Sequence, residues 1–280
     1  MTPNAGLQTR LLLREHGIQP KRRLGQNFLD DDFFLHCIVE AAELSPTDVV
    51  LEIGCGLGSL TRILAGRSKQ VIALEIDEKL LVVARELLGE AGNVRLIHAD
   101  ILDVTPQDLG LPPHYVVTAN IPYYVTSPII RHLLESKPTP ARLVLTVQKE
   151  VAQRICSKPP RTNLMAVSVQ VYGTPRIVAE IPARAFYPPP DVDSAVLRVD
   201  CHARALVPPD LAPFFFRVVK AGFGQPRKML RNTISSGLAI PAGQAEAIML
   251  GSDIDPRRRA ETLSIEEWSK LALDLREVLG

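Results

Sequence analysis

Few cysteines, no long apolar run and almost no net charge mark this chain, and each shortage closes off a class of protein. Its four cysteines, Cys37, Cys55, Cys156 and Cys201, are scattered through 280 residues. Neither a disulfide framework nor the close spacing of a zinc site is expected. The six histidines are as dispersed, and no metal is expected. No uncharged apolar run reaches the roughly 18 residues of a membrane span. The N-terminal region carries Arg10, Arg14, Lys21, Arg22 and Arg23 without an apolar signal core. A cytoplasmic protein with no membrane contact is expected, and with no obvious coiled coil in the sequence a monomer is expected. The formal net charge of +1 hides an uneven distribution. Between Lys137 and Arg184 eight basic residues face only Glu150 and Glu180. Gathered on one face they would form a track for a phosphate backbone; dispersed, they are a solvated surface.

What is present is an alternation of short β-rich runs and amphipathic stretches over the first two hundred residues, the pattern of βαβ units around a largely parallel sheet. Strands are expected at 49–53, 70–76, 94–99, 115–119, 142–148, 167–172 with 176–181, and 195–201. Helices are expected between them at 30–43, 59–65, 78–88, 127–135 and 149–156. After Cys201 the composition changes, Pro208-Pro209 reads as a boundary, and helices are expected at 211–222, 226–235, 243–250 and 264–278. Ser264 and Glu267 have the spacing of a capping box at the last of these. The simplest organisation is a sheet-based domain over 1–205 and a small all-helical domain over 206–280.

Four strand ends carry the chemistry. Val49-Val50-Leu51-Glu52-Ile53 runs into Gly54-Cys55-Gly56-Leu57-Gly58, a turn that lets a ligand approach backbone N–H groups. Its G-x-G-x-G spacing departs from the G-x-G-x-x-G of a dinucleotide fold and disfavours a dehydrogenase. Glu75 ends the next strand, where a carboxylate can accept from both hydroxyls of a ribose. Asp100 ends the third, within reach of an adenine amino group. Asn120-Ile121-Pro122-Tyr123 ends the fourth. An exocyclic amine is a poor nucleophile because its lone pair is delocalised into the ring. The Asn120 side-chain oxygen and a backbone carbonyl beside Pro122 can accept both amine hydrogens and aim the lone pair at an electrophile, while Tyr123 stacks on the base. Each feature alone is also an ordinary turn, cap or loop carboxylate; their shared position at successive strand ends is not.

Together these segments resemble S-adenosylmethionine-dependent adenine-N6 methyltransferases and, more narrowly, the bacterial small-subunit ribosomal RNA adenine dimethyltransferases. Lys21-Arg22-Arg23-Leu24-Gly25-Gln26-Asn27-Phe28-Leu29 resembles that family's N-terminal motif, and Phe186-Tyr187-Pro188-Pro189-Pro190-Asp191-Val192-Asp193-Ser194-Ala195 its late loop. Residues 223–232 and 254–263 resemble its helical domain. The resemblance implies a Rossmann-like class I methyltransferase sheet, mostly parallel with an antiparallel edge strand. It implies that Asn27 and Leu29 border the methionine end of S-adenosylmethionine, Gly54 passes beneath it, Glu75 binds its ribose and Asp100 its adenine. Asn120 would face both methionine and target, Pro122 would shape the catalytic turn, and Tyr123 and Phe186 would hold the flipped base. It further implies dimethylation of two neighbouring adenosines near the end of 16S rRNA in an immature small subunit. Lys21, Arg22, Arg23, Lys149, Arg154, Arg161, Arg227, Lys228 and Arg231 are the candidate phosphate contacts. Cys55 stands where many relatives carry proline, and Gln225-Pro226-Arg227-Lys228 varies from the double-basic form. A large-subunit enzyme of the macrolide-resistance type and a non-catalytic ribosome-assembly factor are the alternatives.

Overall fold

A parallel strand covered on both faces has to be apolar at nearly every position, and the central strands of this protein meet that requirement. The computed structural model describes residues 5–89, 91–122 and 125–279. Its strands are β1 (Phe28–Leu29), β2 (Val49–Ile53), β3 (Gln70–Glu75), β4 (Val94–His98), β5 (Val116–Asn120), β6 (Arg142–Gln148), β7 (Gly173–Ile181), β8 (Phe186–Tyr187) and β9 (Ser194–Cys201). Seven of them form one sheet in the order β4-β3-β2-β5-β6-β9-β7, and β1 pairs with β8 in a separate ribbon. From β4 to β6 all pairings are parallel, and β9 runs antiparallel to β6. Val50, Leu51, Val117, Leu143, Val144 and Leu145 are completely buried. On β7, one of the two edge strands, burial alternates instead, as an edge with one wet face should. Pro175 is tolerated there because an edge strand can lack one ladder donor.

Helices α1 (Ala5–Glu15), α2 (Asp32–Ala42), α3 (Ser59–Ala65), α4 (Glu78–Leu88) and α5 (Thr126–Glu135) accompany this sheet. Asp31 and Asp77 cap α2 and α4, each accepting from a backbone N–H two residues on. The first helix was not expected from the sequence. It is held by Leu13, which is buried with Leu57, Leu80 and Val83. Among the described residues no helix is long and apolar enough to cross a membrane.

The chain divides into two compact units, one of Met1–Ala152 with Pro175–Cys201, the other of Gln153–Thr174 with His202–Gly280. The boundary at Ala152 falls within α6 (Lys149–Ile155), and the second unit holds α7 (Leu164–Gln170), α8 (Ala212–Phe223), α9 (Leu230–Leu238), α10 (Ala242–Gly251) and α11 (Ile265–Leu279). Its core is built on Phe215, Val218, Met249, Trp268 and Leu271, all fully buried. Gly222 faces the Trp268 ring so closely that a Cβ there would collide with it. The Ser264–Glu267 capping box is formed, with Glu267 N–H donating to Ser264 Oγ and Ser264 N–H to Glu267 Oε2.

One expected strand is a helix. Residues 167–172 carry alternating valines, which favours β-structure, yet Asn163 Oδ1 accepts from Ala166 N–H at 3.0 Å and starts α7. Val167 and Val171, one helical turn apart, then enter the same apolar cluster as Val207, Leu211 and Phe215. Burial against helices overrides the local preference.

Candidate active site

Strand β2 lies between β3 and β5, with Ile53 opposite both Leu74 and Ala119. The chain leaving β2 therefore turns where the strand order reverses, at the crevice in which open α/β sheets hold ligands. Gly54 makes that turn at φ +74°, a conformation costly for any residue with a Cβ. Gly54 and Cys55 donate to Leu74 O at 2.9 and 3.1 Å. These bonds fold the turn over the end of β3.

Glu75 stands at that end, 6% exposed. Its Oε2 accepts from Gly56 N–H and its Oε1 from Asp77 N–H, both at 2.9 Å. Burial pushes its carboxyl above the ordinary range, against the pull of those backbone donors. Two backbone bonds do not fill its four lone pairs, so the carboxylate is aimed but not saturated. Asp100 follows β4, and its Oδ1 accepts from Leu102 N–H at 2.9 Å. Asn120 ends β5 and donates from Nδ2 to the backbone carbonyl of Asn27 at 2.8 Å. Its Oδ1 is thereby the amide atom left to accept. The Pro122 carbonyl accepts from Val125 N–H at 3.1 Å and retains one lone pair.

These residues border two adjoining spaces. Asn27, Gly54, Glu75, Asp100 and Pro122 contribute to the lining of a cleft of about 810 Å³. Leu29, Gly54 and Asn120 help line a second of about 480 Å³, and Phe28, Gly54 and Gly56 lie on both. The walls of the larger cleft near Glu75 are apolar, from Leu74, Ile76, Ile101 and Leu102.

Tyr123 lies outside the described residues. Phe186 does not present an open ring face. It sits on β8 opposite Leu29, is 4% exposed, and belongs with Leu29, Leu35 and Ile181 to one apolar cluster. An aromatic ahead of three prolines reads as a loop residue; pairing with β1 is what buries it.

Glu52 is a buried acid to which the glycine-turn motif assigns no role. It is 2% exposed and lines the smaller space. Burial above all, with the negative Glu75 adding to it, pushes its carboxyl up to about 7. The signal was one acid inside the run Val49-Val50-Leu51-Glu52-Ile53, where a charge is costly unless it serves a site.

The candidate phosphate contacts separate into two groups. Lys21, Lys149 and Arg231 are ion-paired, with Asp77 at 2.7 Å, Glu180 at 2.8 Å and Glu246 at 2.9 Å. Arg22, Arg23, Arg154, Arg161, Arg227 and Lys228 are exposed. Among the described residues no acidic partner lies within ion-pair distance of them. Nor, among the described residues, do any three His, Cys, Asp or Glu side chains group as metal ligands.

Comparison with known proteins matches residues 17–276 to the family described as ribosomal RNA adenine dimethylase. The ribosomal RNA small subunit methyltransferase A of Dehalococcoides mccartyi is 42% identical over 97% of this chain and 94% of its own. That of Moorella thermoacetica is 43% identical over 96% of each. Among solved structures, a dimethyladenosine transferase from Plasmodium falciparum superposes with a TM-score of 0.79 at 24% identity, covering 89% of this chain and 98% of that one. The 23S rRNA methyltransferase ErmE gives 0.72 at 29% identity, over 89% of this chain and all of the other.

Proposed function

From the premise that this chain belongs to the ribosomal RNA adenine dimethylase family, we propose that it dimethylates N6 of two adjacent adenosines near the 3′ end of 16S rRNA, in an immature small subunit in the cytoplasm, with S-adenosylmethionine as methyl donor. Membership makes it an rRNA adenine dimethyltransferase with a Rossmann-like sheet. The observation that carries the finer reading is the pair formed by an aimed, unsaturated carboxylate at Glu75 and a pinned amide at Asn120, on either side of one glycine turn.

The residues present fit the donor. Glu75 has lone pairs to accept from ribose hydroxyls, the apolar walls around it suit a flat adenine, and Asp100 is placed to accept from that ring's amino group. Gly54 lets the donor lie against backbone, and Asn27 and Leu29 border its methionine end. S-adenosylmethionine, when bound, supplies a methyl group on a sulfonium, already a strong electrophile. The protein's part is alignment. Asn120 Oδ1 and the Pro122 carbonyl accept the two amine hydrogens of the target and direct the nitrogen lone pair. No dedicated base is needed, since the proton leaves after the nitrogen has become cationic. Tyr123 is the proposed stacking partner of the flipped base. Phe186 would serve on the other face only after the β1–β8 ribbon moves; in the arrangement described it anchors that ribbon.

The small-subunit reading is favoured over the large-subunit one by identity, 42% and 43% against 29%. Incubating unmethylated small subunits with the protein and S-adenosylmethionine, then digesting the rRNA for mass spectrometry, tests it. Two dimethyladenosines near the 3′ end of 16S rRNA are expected; their absence, with methylation of protein-free 23S rRNA in a parallel incubation or with none in either, would overturn it.

A further inference from the structure

Bordering the cleft is a polar cluster of which only Asp77, the cap of α4, has a role in the fold described above. Asp77 is 4% exposed. Its Oδ1 accepts from Lys79 N–H at 3.2 Å, and its Oδ2 accepts from Gln26 Nε2 at 2.9 Å and from the Lys21 ammonium at 2.7 Å. Its own N–H is the donor to Glu75 Oε1 at 2.9 Å. Gln26 is engaged at both ends of its amide, since Oε1 accepts from Lys21 N–H at 2.7 Å. Burial pushes the Asp77 carboxyl up, but the bonds from Lys21 and Gln26 outweigh it and hold the group below its ordinary range.

Residues 21–28 pass from this cluster across the cleft, and Leu24, Gly25, Gln26, Asn27 and Phe28 line it. On the far side the Asn27 carbonyl takes the Asn120 amide, and Gly25 lies against Pro122 so closely that a Cβ would come within 2.8 Å of the proline Cβ. The segment is thus tied at one end to the start of α4 and at the other to the end of β5. Its side of the cleft is held by polar bonds more than by apolar packing, because Leu24, Gln26 and Asn27 are all only half-buried.

We propose that Lys21, Gln26 and Asp77 form a clamp that positions residues 24–28 as a wall of the methyl-donor site, so that donor affinity depends on the bonds these side chains make to one another. This rests on the reading of the cleft as the S-adenosylmethionine site. Gln26 and Lys21 are positioning residues: they act through the backbone of the wall and, by way of the Asp77 N–H, on the aim of Glu75. Apparent affinity falls in proportion to the fraction of molecules with the wall in place.

Gln26→Glu tests the clamp, because it exchanges the amide donor for a carboxylate facing Asp77 Oδ2. At pH 8 two adjacent carboxylates repel; near pH 5.5 they share one proton and the bond returns. S-adenosylmethionine affinity, measured by calorimetry, is expected to fall about tenfold or more at pH 8 and to recover near pH 5.5 to within about threefold of the parent at the same pH. Gln26→Ala is expected to lose affinity at both. In the donor-free protein, hydrogen-exchange protection of residues 25–27 is expected to fall in Gln26→Glu at pH 8 only. Asp77→Asn keeps the helix cap and is expected to weaken donor binding in the same direction, which guards against misfolding of the first variant. Parent-like affinity and protection in Gln26→Glu at pH 8 would overturn the clamp. Failure of the parent protein to bind S-adenosylmethionine would instead overturn the assignment of the cleft, and the exchange measurement alone would then decide the clamp.

Discussion

Replacing Glu75 by alanine removes an acceptor from Gly56 N–H and Asp77 N–H as well as the proposed ribose contact. Hydrogen bonds to a charged acceptor contribute about 1.5–3 kcal/mol each. Calorimetry of Glu75→Ala should therefore show S-adenosylmethionine affinity lower by roughly 100-fold, about 2.7 kcal/mol, and an unchanged value would remove Glu75 from the site. Glu52 makes a different forecast, in stability. Its carboxyl is raised to about 7 in the folded protein from an ordinary 4.5, so the native state holds a proton that the unfolded chain has given up between those values. Its favourable share is complete below the unfolded value and lost as pH rises through about 7, on the order of 3 kcal/mol in all. Glu52→Gln should flatten the pH dependence of urea unfolding between pH 4.5 and 7 and leave the variant the more stable at pH 8. A parallel pair of curves would mean that Glu52 is not buried as a neutral acid.

At the scale of elements, α7 depends on Asn163. Its Oδ1 caps the helix while its Nδ2 donates to Arg154 O at 2.8 Å and Ser157 Oγ at 2.7 Å. Gln170 Nε2 takes the carbonyls of Ile155 and Ser157, each at 2.8 Å. Asn163→Ala should lower stability by about 1–2 kcal/mol, the usual worth of such a cap, and raise hydrogen exchange through residues 154–162. This is also where sequence reading ran out. The strands that lead to Gly54, Glu75 and Asn120 were legible because a parallel strand buried on both faces writes an unbroken apolar run into the chain. The valines at 167, 169 and 171 write an equally β-like pattern, and only their tertiary partners make them a helix. The Asn27–Asn120 bond spans 93 positions, and no local pattern announces it. Phe186 was read as a loop aromatic because a two-residue strand has too little length to show a period.

At the scale of the whole molecule, the chain enters the helical unit at Gln153, leaves it after Thr174 and re-enters at His202. A fragment of residues 206–280 would lack Val167 and Val171, both part of that unit's buried core. It should melt without a cooperative transition by circular dichroism, and a sharp transition would show that the later helices suffice alone. RNA affinity has a whole-molecule signature too. Each phosphate neutralised adds about 0.7–0.9 to the slope of log affinity against log salt. Arg154→Ala with Arg161→Ala, neither of them ion-paired among the described residues, should reduce that slope by about 1–2. Lys149→Ala, which removes a side chain already bonded to Glu180 at 2.8 Å, should leave it nearly unchanged. Equal losses from the two variants would mean that ion pairing on the free protein does not sort its RNA contacts.

The Asn120 amide, fastened through Nδ2 to Asn27, has no freedom to turn over and offer a donor. On the proposed chemistry an incoming adenine brings two hydrogens to two acceptors, the singly methylated base brings one, and the dimethylated base brings none. Each turnover thus strips the ligand of a bond that the pocket has no means to replace. The finished nucleotide faces Asn120 Oδ1 and the Pro122 carbonyl with nothing to give either, so departure is written into the same two oxygens that governed entry.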